Sequence, residues 1–284
     1  MSLVERGVIK SDIVLTFAEN SLELVSILFA AMYLGITIYP ISSSVNIYEM
    51  DQLFDTLGQI VVITSKAKSE IIGKVLRNNN RKERVKFVVI LDGYYDNYVT
   101  LDQLLKEGEN KTLDKIPYFA VRPKKDLFLY IQSSGTSGVP KTVMISHKAI
   151  VAAILSMTSI DKTKLKERLI FSHVTPFGCI SGITLLFGYI VIGATLIIYR
   201  GYDEELILQS IQKYRINLLS FVPSFAHKLV SGDLVDKYDL SSVKMMTTSG
   251  SALNANAAKA ILTKYKIIVQ EGIHIPIDFS IKIT

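Results

Sequence analysis

The sequence predicts an α/β fold with mostly parallel sheets and helices on both faces. Short segments rich in β-branched residues alternate with longer segments of helical pattern along most of the chain. Apolar residues make up 49% of the 284 residues, enough to build a large core. Two long apolar runs each break at a glycine into a helix followed by a strand, which is typical of an α/β core.

Strands and helices alternate in order through the first part of the chain. The predicted strands are Ile13–Phe17, Thr37–Tyr39, Val61–Ile63 and Val85–Leu91. The predicted helices are Ser21–Leu34, Asn46–Leu57 and Ser69–Asn78. Residues 94–126 are more polar, hold one short predicted helix (Leu101–Glu107), and are expected to link two halves.

The alternation resumes after this linker. The predicted strands are Leu127–Gln132, Val143–Ile145, Arg168–Val174, Ala194–Ile198, Asn217–Val222 and Val243–Thr247. The predicted helices are Ala149–Met157 with Ser146 as cap, Ile183–Ile192, Asp203–Tyr214, Pro223–Val230 and Ala255–Lys264. His173 lies in an apolar strand, so we expect it in the core or at the edge of a pocket.

The two apolar runs, Leu24–Ser44 and Gly182–Tyr199, are long enough to suggest membrane spans. Each contains a helix-like stretch that ends at a glycine, Gly35 or Gly193, and a β-rich run follows. We therefore predict buried core segments, with an integral membrane protein as the alternative.

Residues Ser133–Lys141 (SSGTSGVPK) have the composition of a loop that holds a polyphosphate. Glycines let backbone N–H groups approach an anion, hydroxyls add donors, and Lys141 adds a positive charge. A P-loop is disfavoured because Pro140 stands where its second glycine belongs and a strand, not a helix, follows. A Ser/Gly surface linker is the plainest alternative, but such linkers seldom join two apolar strands.

This loop resembles the phosphate loop of the adenylate-forming superfamily, [ST]-[ST]-G-[ST]-T-G-x-P-K-G-V. The superfamily holds acyl-CoA synthetases, 4-coumarate–CoA ligases and firefly luciferase. Two positions depart from the pattern, since Ser137 replaces a threonine and Thr142 replaces a glycine. Three further segments resemble the family in the same order along the chain: Glu19–Ser21 with the run to Gly35, Leu234–Ser242, and Ser249–Leu253.

The resemblance implies ATP-dependent activation of a small carboxylic acid to an acyl-adenylate, then thioester formation with coenzyme A. Mg²⁺ would accompany the phosphates. The residues implied to hold the phosphates are Ser133, Ser134, Gly135, Thr136, Ser137, Gly138 and Lys141, and those beside the adenine are Ser249, Gly250, Ser251 and Ala252. The residues implied to contact the acid are Cys179, Ser181 and Gly182. Gly178 and Cys179 stand where the family has an aromatic residue or histidine, which suggests a roomier acyl pocket or a decayed site.

The resemblance covers about half of a family member, the large N-terminal domain without its C-terminal lid. Its expected parts are a first α/β half at 1–93, a linker at 94–126, a second half with the phosphate loop at 127–272, and a divergent tail at 273–284. That tail replaces the family's Tyr-Gly-x-Thr-Glu motif, and the ribose-binding aspartate and lid lysine are not in the sequence. We therefore assign no catalytic residue and expect impaired activity. A non-catalytic nucleotide-binding pseudoenzyme is the alternative.

The amino-acid composition argues against several other classes of function and site. The net charge is +6 without a basic stripe, which disfavours nucleic-acid binding. A single cysteine, Cys179, excludes an intramolecular disulfide and fits a reducing compartment. The four histidines are too scattered for a zinc site. Family resemblance implies a cytoplasmic or peroxisomal location, although Lys282–Thr284 is not a peroxisomal signal of the Ser-Lys-Leu type.

Overall fold

The computed structural model describes residues 1–77, 79–95, 97–112, 119–132, 142–157, 168–221, 223–231, 234–248 and 253–271. These residues form two compact units. The first comprises Met1–Val151 and Pro176–Ile180, and the second comprises Ala152–Thr175 and the described residues from Ser181 onward. Each unit contains one sheet, and parallel pairing predominates in both. The predicted α/β class is confirmed.

The first unit contains a seven-stranded sheet in the order β5-β4-β3-β1-β2-β6-β7. All neighbouring pairs are parallel except β6 and β7, which are antiparallel. The strands are β1 (Ile13–Phe17), β2 (Thr37–Pro40), β3 (Ile60–Thr64), β4 (Val85–Ile90), β5 (Val99–Thr100), β6 (Leu127–Gln132) and β7 (Thr142–Ser146). The helices are α1 (Ser2–Glu5), α2 (Leu22–Tyr33), α3 (Ile47–Thr56), α4 (Lys66–Val75), α5 (Asn79–Lys82) and α6 (Leu101–Gly108); α7 (His147–Met157) follows the sheet.

The second unit contains a five-stranded sheet in the order β12-β11-β10-β8-β9, parallel throughout. The strands are β8 (Ile170–His173), β9 (Thr195–Ile198), β10 (Leu218–Phe221), β11 (Met245–Thr248) and β12 (Ile268–Glu271). The helices are α8 (Ile180–Val191), α9 (Glu204–Tyr214), α10 (Pro223–Ser231) and α11 (Ala255–Tyr265), with a 3₁₀ turn at Val235–Lys237.

The two sheets repeat one strand order. Strands β8 to β12 of the second sheet correspond in chain order to β1 to β5 of the first. With this correspondence, the order β5-β4-β3-β1-β2 in the first sheet matches β12-β11-β10-β8-β9 in the second. In each sheet the second strand lies on one side of the first and the third strand lies on the other, so the winding direction reverses there. A doubly wound sheet offers its ligand crevice at the carboxyl ends of the strands beside this reversal. The crevices therefore lie at β1/β3 in the first unit and at β8/β10 in the second.

Both long apolar runs fold as predicted. The first contains α2, Gly35 with φ of 63°, and β2; the second contains α8, Gly193 with φ of 78°, and β9. The positive φ at each glycine ends its helix and turns the chain into a strand. Across the described ranges, no helix has both the length and the apolar character that a membrane crossing needs.

Several predicted helix starts are confirmed by side-chain caps. The acceptors are Ser21 for the Leu24 N–H, Asn46 in a capping box with Glu49, Ser146 for the Ala149 N–H, and Asp203 for the Leu206 N–H. Helix α4 differs from its prediction, since it begins at Lys66 instead of Ser69. Its first N–H donates to the Asp92 carboxylate at 2.8 Å, a cap supplied from beyond β4.

Candidate functional site

The carboxyl edge of the second sheet carries hydroxyl groups at its reversal of winding. Thr175 follows β8 and Ser220 lies near the end of the adjacent strand β10, and their hydroxyl oxygens are 3.4 Å apart. Ser220 is buried, and so is Thr248 at the end of β11. Hydroxyls can both donate and accept hydrogen bonds, so this edge can contact a polar ligand. These residues were not predicted from the sequence, where the available signal was a small polar residue at the end of each predicted parallel strand.

His173 ends β8 at the same edge and is fully buried. Burial disfavours the imidazolium and lowers the pKa of His173 to about 4, although a hydrogen bond with the Thr175 backbone opposes the shift. His173 is therefore neutral at pH 7, and a neutral imidazole can donate from one nitrogen and accept at the other. Its place at the strand end agrees with the predicted core or pocket-edge position.

Aromatic side chains pack below this edge. The Phe171 and Tyr189 rings stack with centroids 3.8 Å apart, and burial raises the pKa of the Tyr189 phenol to about 12. Burial also raises the pKa of Tyr199, against smaller opposing contributions from the Ser210 and Ser172 hydroxyls. Both phenols therefore stay protonated and serve as neutral groups rather than bases at neutral pH.

The residues predicted to contact the acid lie at the start of α8. Ser181 and Gly182 are in the first turn of that helix, where Gly182 is buried. Cys179 precedes α8 and is half-buried, with its Sγ 3.1 Å from the Pro176 carbonyl oxygen. Because a helix start presents backbone N–H groups without intrahelical partners, this end suits a carboxylate.

Gly178, beside Cys179, has a packing reason for lacking a side chain. A Cβ there would lie 2.6 Å from the Ser42 Cα and 2.9 Å from the Ile41 carbonyl oxygen. Both are backbone atoms, which cannot move aside as a flexible side chain does. The glycine therefore permits a close approach of two backbone segments, whatever the size of the acyl pocket.

The residues predicted to hold ATP lie outside the described residues. They are Ser133, Ser134, Gly135, Thr136, Ser137, Gly138, Lys141, Ser249, Gly250, Ser251 and Ala252. The flanks of the first group are described, and they match the predicted strand–loop–strand context: β6 and β7 pair antiparallel, with Gln132 opposite Thr142. Thr142 replaces the family's glycine, and its hydroxyl oxygen is 2.9 Å from that of the buried Tyr39. This bond holds the start of β7 against β2.

Comparison with known proteins gives the family. The sequence profile described as AMP-binding enzyme matches residues 1–272. The chain belongs to this family. That range covers the sequence Ser133–Lys141 and the strands of both sheets.

Curated relatives of this family member include two enzyme classes. It is 28% identical to a luciferin 4-monooxygenase of Photuris pensylvanica, over 95% of the chain and 50% of the relative. It is also 28% identical to acyl-CoA synthetase 7 of Caenorhabditis elegans, over 91% of the chain and 48% of the relative. The chain thus spans about half the length of the curated relatives it matches.

The fold is shared with solved members of the adenylate-forming superfamily. The red-emitting luciferase of Phrixothrix hirtus aligns with a TM-score of 0.81 at 23% identity, over 94% of this chain and 51% of that one. At that identity the likeness concerns the fold of the N-terminal domain. Within the described part of the chain, no three His, Cys, Asp or Glu side chains group as a metal site would require.

Proposed function

We propose that this chain takes part in ATP-dependent activation of a carboxylic acid, with an acyl-adenylate as product. The observation that carries the proposal is the AMP-binding family match over residues 1–272, which includes the glycine- and hydroxyl-rich sequence between the antiparallel strands β6 and β7. Such a loop suits triphosphate binding, and the helix start at Ser181 and Gly182 suits a carboxylate.

The chain's own groups would act by binding and orientation. Hydroxyls and N–H groups of Ser133–Lys141 would donate to the β- and γ-phosphates, with Lys141 neutralising charge. The residues Ser249–Ala252 would flank the adenine. Mg²⁺ bound to the phosphates would supply further neutralisation. Attack of the carboxylate on the α-phosphate would release pyrophosphate and form the acyl-adenylate. The thiol of coenzyme A would then attack the acyl carbon and release AMP, as the name of the acyl-CoA synthetase relative suggests.

The identity of the acid is left open by this proposal, but its class is a small-molecule carboxylic acid. Because we expect impaired activity, purified chain should catalyse slow but detectable exchange of labelled pyrophosphate into ATP when given fatty or hydroxycinnamic acids. Exchange without added acid, or none with any acid, would contradict acid activation. The replacement of the family's Thr-Glu pair after Gly272 favours a second candidate, a nucleotide-binding pseudoenzyme, for which ATP binds but no exchange occurs.

The phosphate-binding role of the loop has a direct test. We expect Lys141→Ala to weaken ATP binding by about 10- to 100-fold, because a charge-assisted contact contributes roughly 1.5–3 kcal/mol. Equilibrium binding of ATP measures the effect. Lys148→Ala is the matched control, since Lys148 is an exposed lysine in the first turn of α7, close in sequence to the loop. Equal affinities of the two variants would contradict the assignment of Lys141.

A further inference from the structure

The turn Pro176–Ile180 belongs to the first unit and is held there by a buried hydrogen bond. The Cys179 N–H donates to the Pro176 carbonyl at 3.3 Å, closing the turn. The Phe177 side chain is 1% exposed, and its backbone N–H donates to Asn20 Oδ1 at 2.8 Å. Asn20 is itself only 5% exposed. A side-chain acceptor buried with its donor is costly to remove, because the donor is then left unpaired.

A second contact fixes the same turn at backbone level. Gly178 lies so close to the Ile41–Ser42 backbone that a Cβ would come within 2.6 Å of the Ser42 Cα. Asn20 follows β1, and Ser42 follows β2. The turn therefore rests on the carboxyl edge of the first sheet. This is the type of edge where doubly wound folds receive ligands, and here it receives a segment of the chain itself.

We propose that Asn20 is a positioning residue for acid binding, acting through the turn that carries Cys179. This inference rests on the proposed function and on the contact between the acid and Cys179 that the family resemblance implies. With the Asn20 bond in place the turn is ordered before the acid arrives. Without it, binding must also order the turn, and that cost lowers affinity. The effect falls on acid affinity, since the bond from Asn20 orders the turn.

The chain provides its own reporter, because Cys179 is its single cysteine. The rate at which a maleimide or a disulfide reagent labels the protein is therefore the rate at Cys179. We expect Asn20→Ala to raise this rate on the order of tenfold, since a lost buried hydrogen bond loosens the turn by about that factor. Asn20→Asp keeps an oxygen acceptor for the Phe177 N–H and should lower the rate from that of Asn20→Ala toward the wild-type rate.

A matched control separates the turn from general stability. Thr100→Val removes the side-chain cap of α6, in which the Gln103 N–H donates to Thr100 Oγ1 at 3.1 Å. Thr100 belongs to the same unit but lies on the edge strand β5, away from the turn. It should lower thermal stability without changing the labelling of Cys179. If Asn20→Ala is unfolded at the labelling temperature, Asn20→Gln takes its place, because the longer side chain displaces the acceptor while retaining polarity.

The binding of a carboxylic acid can be measured by how far it protects Cys179 from labelling. Hexadecanoate, octanoate or 4-coumarate, each with MgATP, should slow labelling of wild-type Cys179. The half-protecting concentration should rise about tenfold in Asn20→Ala, in line with the loss of one buried hydrogen bond, and return in Asn20→Asp. A residue with a purely structural role would alter stability and leave this concentration unchanged in the folded protein.

The two possible failures are distinguishable. Equal labelling rates in the wild type and Asn20→Ala, or an unchanged half-protecting concentration, overturn the positioning role and leave the proposed function intact. No protection of wild-type Cys179 by any acid, with faster labelling of Asn20→Ala, overturns the placement of the acid beside Cys179 and its positioning by Asn20. In that case only the anchoring of the turn stands.

Discussion

Two glycines show how single residues end the apolar helices of this fold. Gly35 after α2 and Gly193 after α8 both have positive φ, yet their surroundings differ. A Cβ at Gly35 would lie 3.0 Å from Val121 Cγ2, whereas a Cβ at Gly193 would meet nothing within 4 Å. The left-handed backbone alone costs an alanine roughly 1–2 kcal/mol. Steric crowding adds to that cost only at Gly35.

We therefore expect Gly35→Ala to destabilise the protein more than Gly193→Ala does. Gly193→Ala should lower the free energy of unfolding by about 1 kcal/mol, and Gly35→Ala by about 2 kcal/mol or more. Urea unfolding of both variants measures the difference. Equal losses would show that Val121 moves aside at no cost.

At the residue scale, the sequence predicted where glycine was needed only when the reason was local. Gly35 and Gly193 each end a helical pattern, so their role could be predicted from neighbouring residues. Gly178 is different, because a glycine is needed there to let the backbone at Ser42 approach, and Ser42 is more than a hundred positions away in sequence. Asn20 likewise contacts Phe177 across the chain. Partners this distant leave no periodic or compositional signal.

Helix α4 shows the same limit at the scale of an element. The sequence placed its start at Ser69, but it begins at Lys66, because Asp92 from the segment after β4 accepts the Lys66 N–H. Ser65 occupies the cap position without capping, and within the described residues its buried hydroxyl has no hydrogen-bond partner. Local propensity would have assigned the cap to Ser65.

This arrangement predicts an inverted outcome for two alanine substitutions. Asp92→Ala should lower the free energy of unfolding by about 1 kcal/mol, the usual cost of losing a helix cap. Ser65→Ala should change it little or raise it, because it removes a buried hydroxyl that makes no hydrogen bond. Chemical unfolding of the two variants decides the matter. A larger loss in Ser65→Ala than in Asp92→Ala would mean that Ser65 is the true cap.

At the scale of the whole molecule, the class and most elements were predictable, but the strand order was not. Alternating patterns and caps at Ser21, Asn46 and Asp203 are local signals. Short β5 and terminal β12 were missed, because two to four residues carry little periodicity. The repeated order of the two sheets arises from pairing between distant strands, and nothing in the sequence alone indicated it. The family resemblance, in contrast, needed only one loop and three short segments.

The second sheet buries His173, and this makes the stability of the protein sensitive to acid. Burial lowers the pKa of His173 to about 4, below the ordinary value near 6.5. Between these values the unfolded chain binds more protons than the folded chain, so stability falls as the pH falls. Neutral His173 makes its full contribution to the free energy of unfolding above pH 6.5. By pH 4 about 3 kcal/mol of that free energy is lost, at roughly 1.4 kcal/mol per pKa unit. His147, whose pKa burial also lowers, acts in the same direction.

We expect the free energy of urea unfolding to decline from pH 7 to pH 5, and His173→Gln to flatten that decline. The slope is the quantity to compare, since the substitution also changes packing at a fully buried site. Combining His173→Gln with His147→Gln should flatten the profile further. An unchanged slope in His173→Gln would mean that His173 is protonated without cost in the folded state, and hence that the carboxyl edge of the second sheet is open to water.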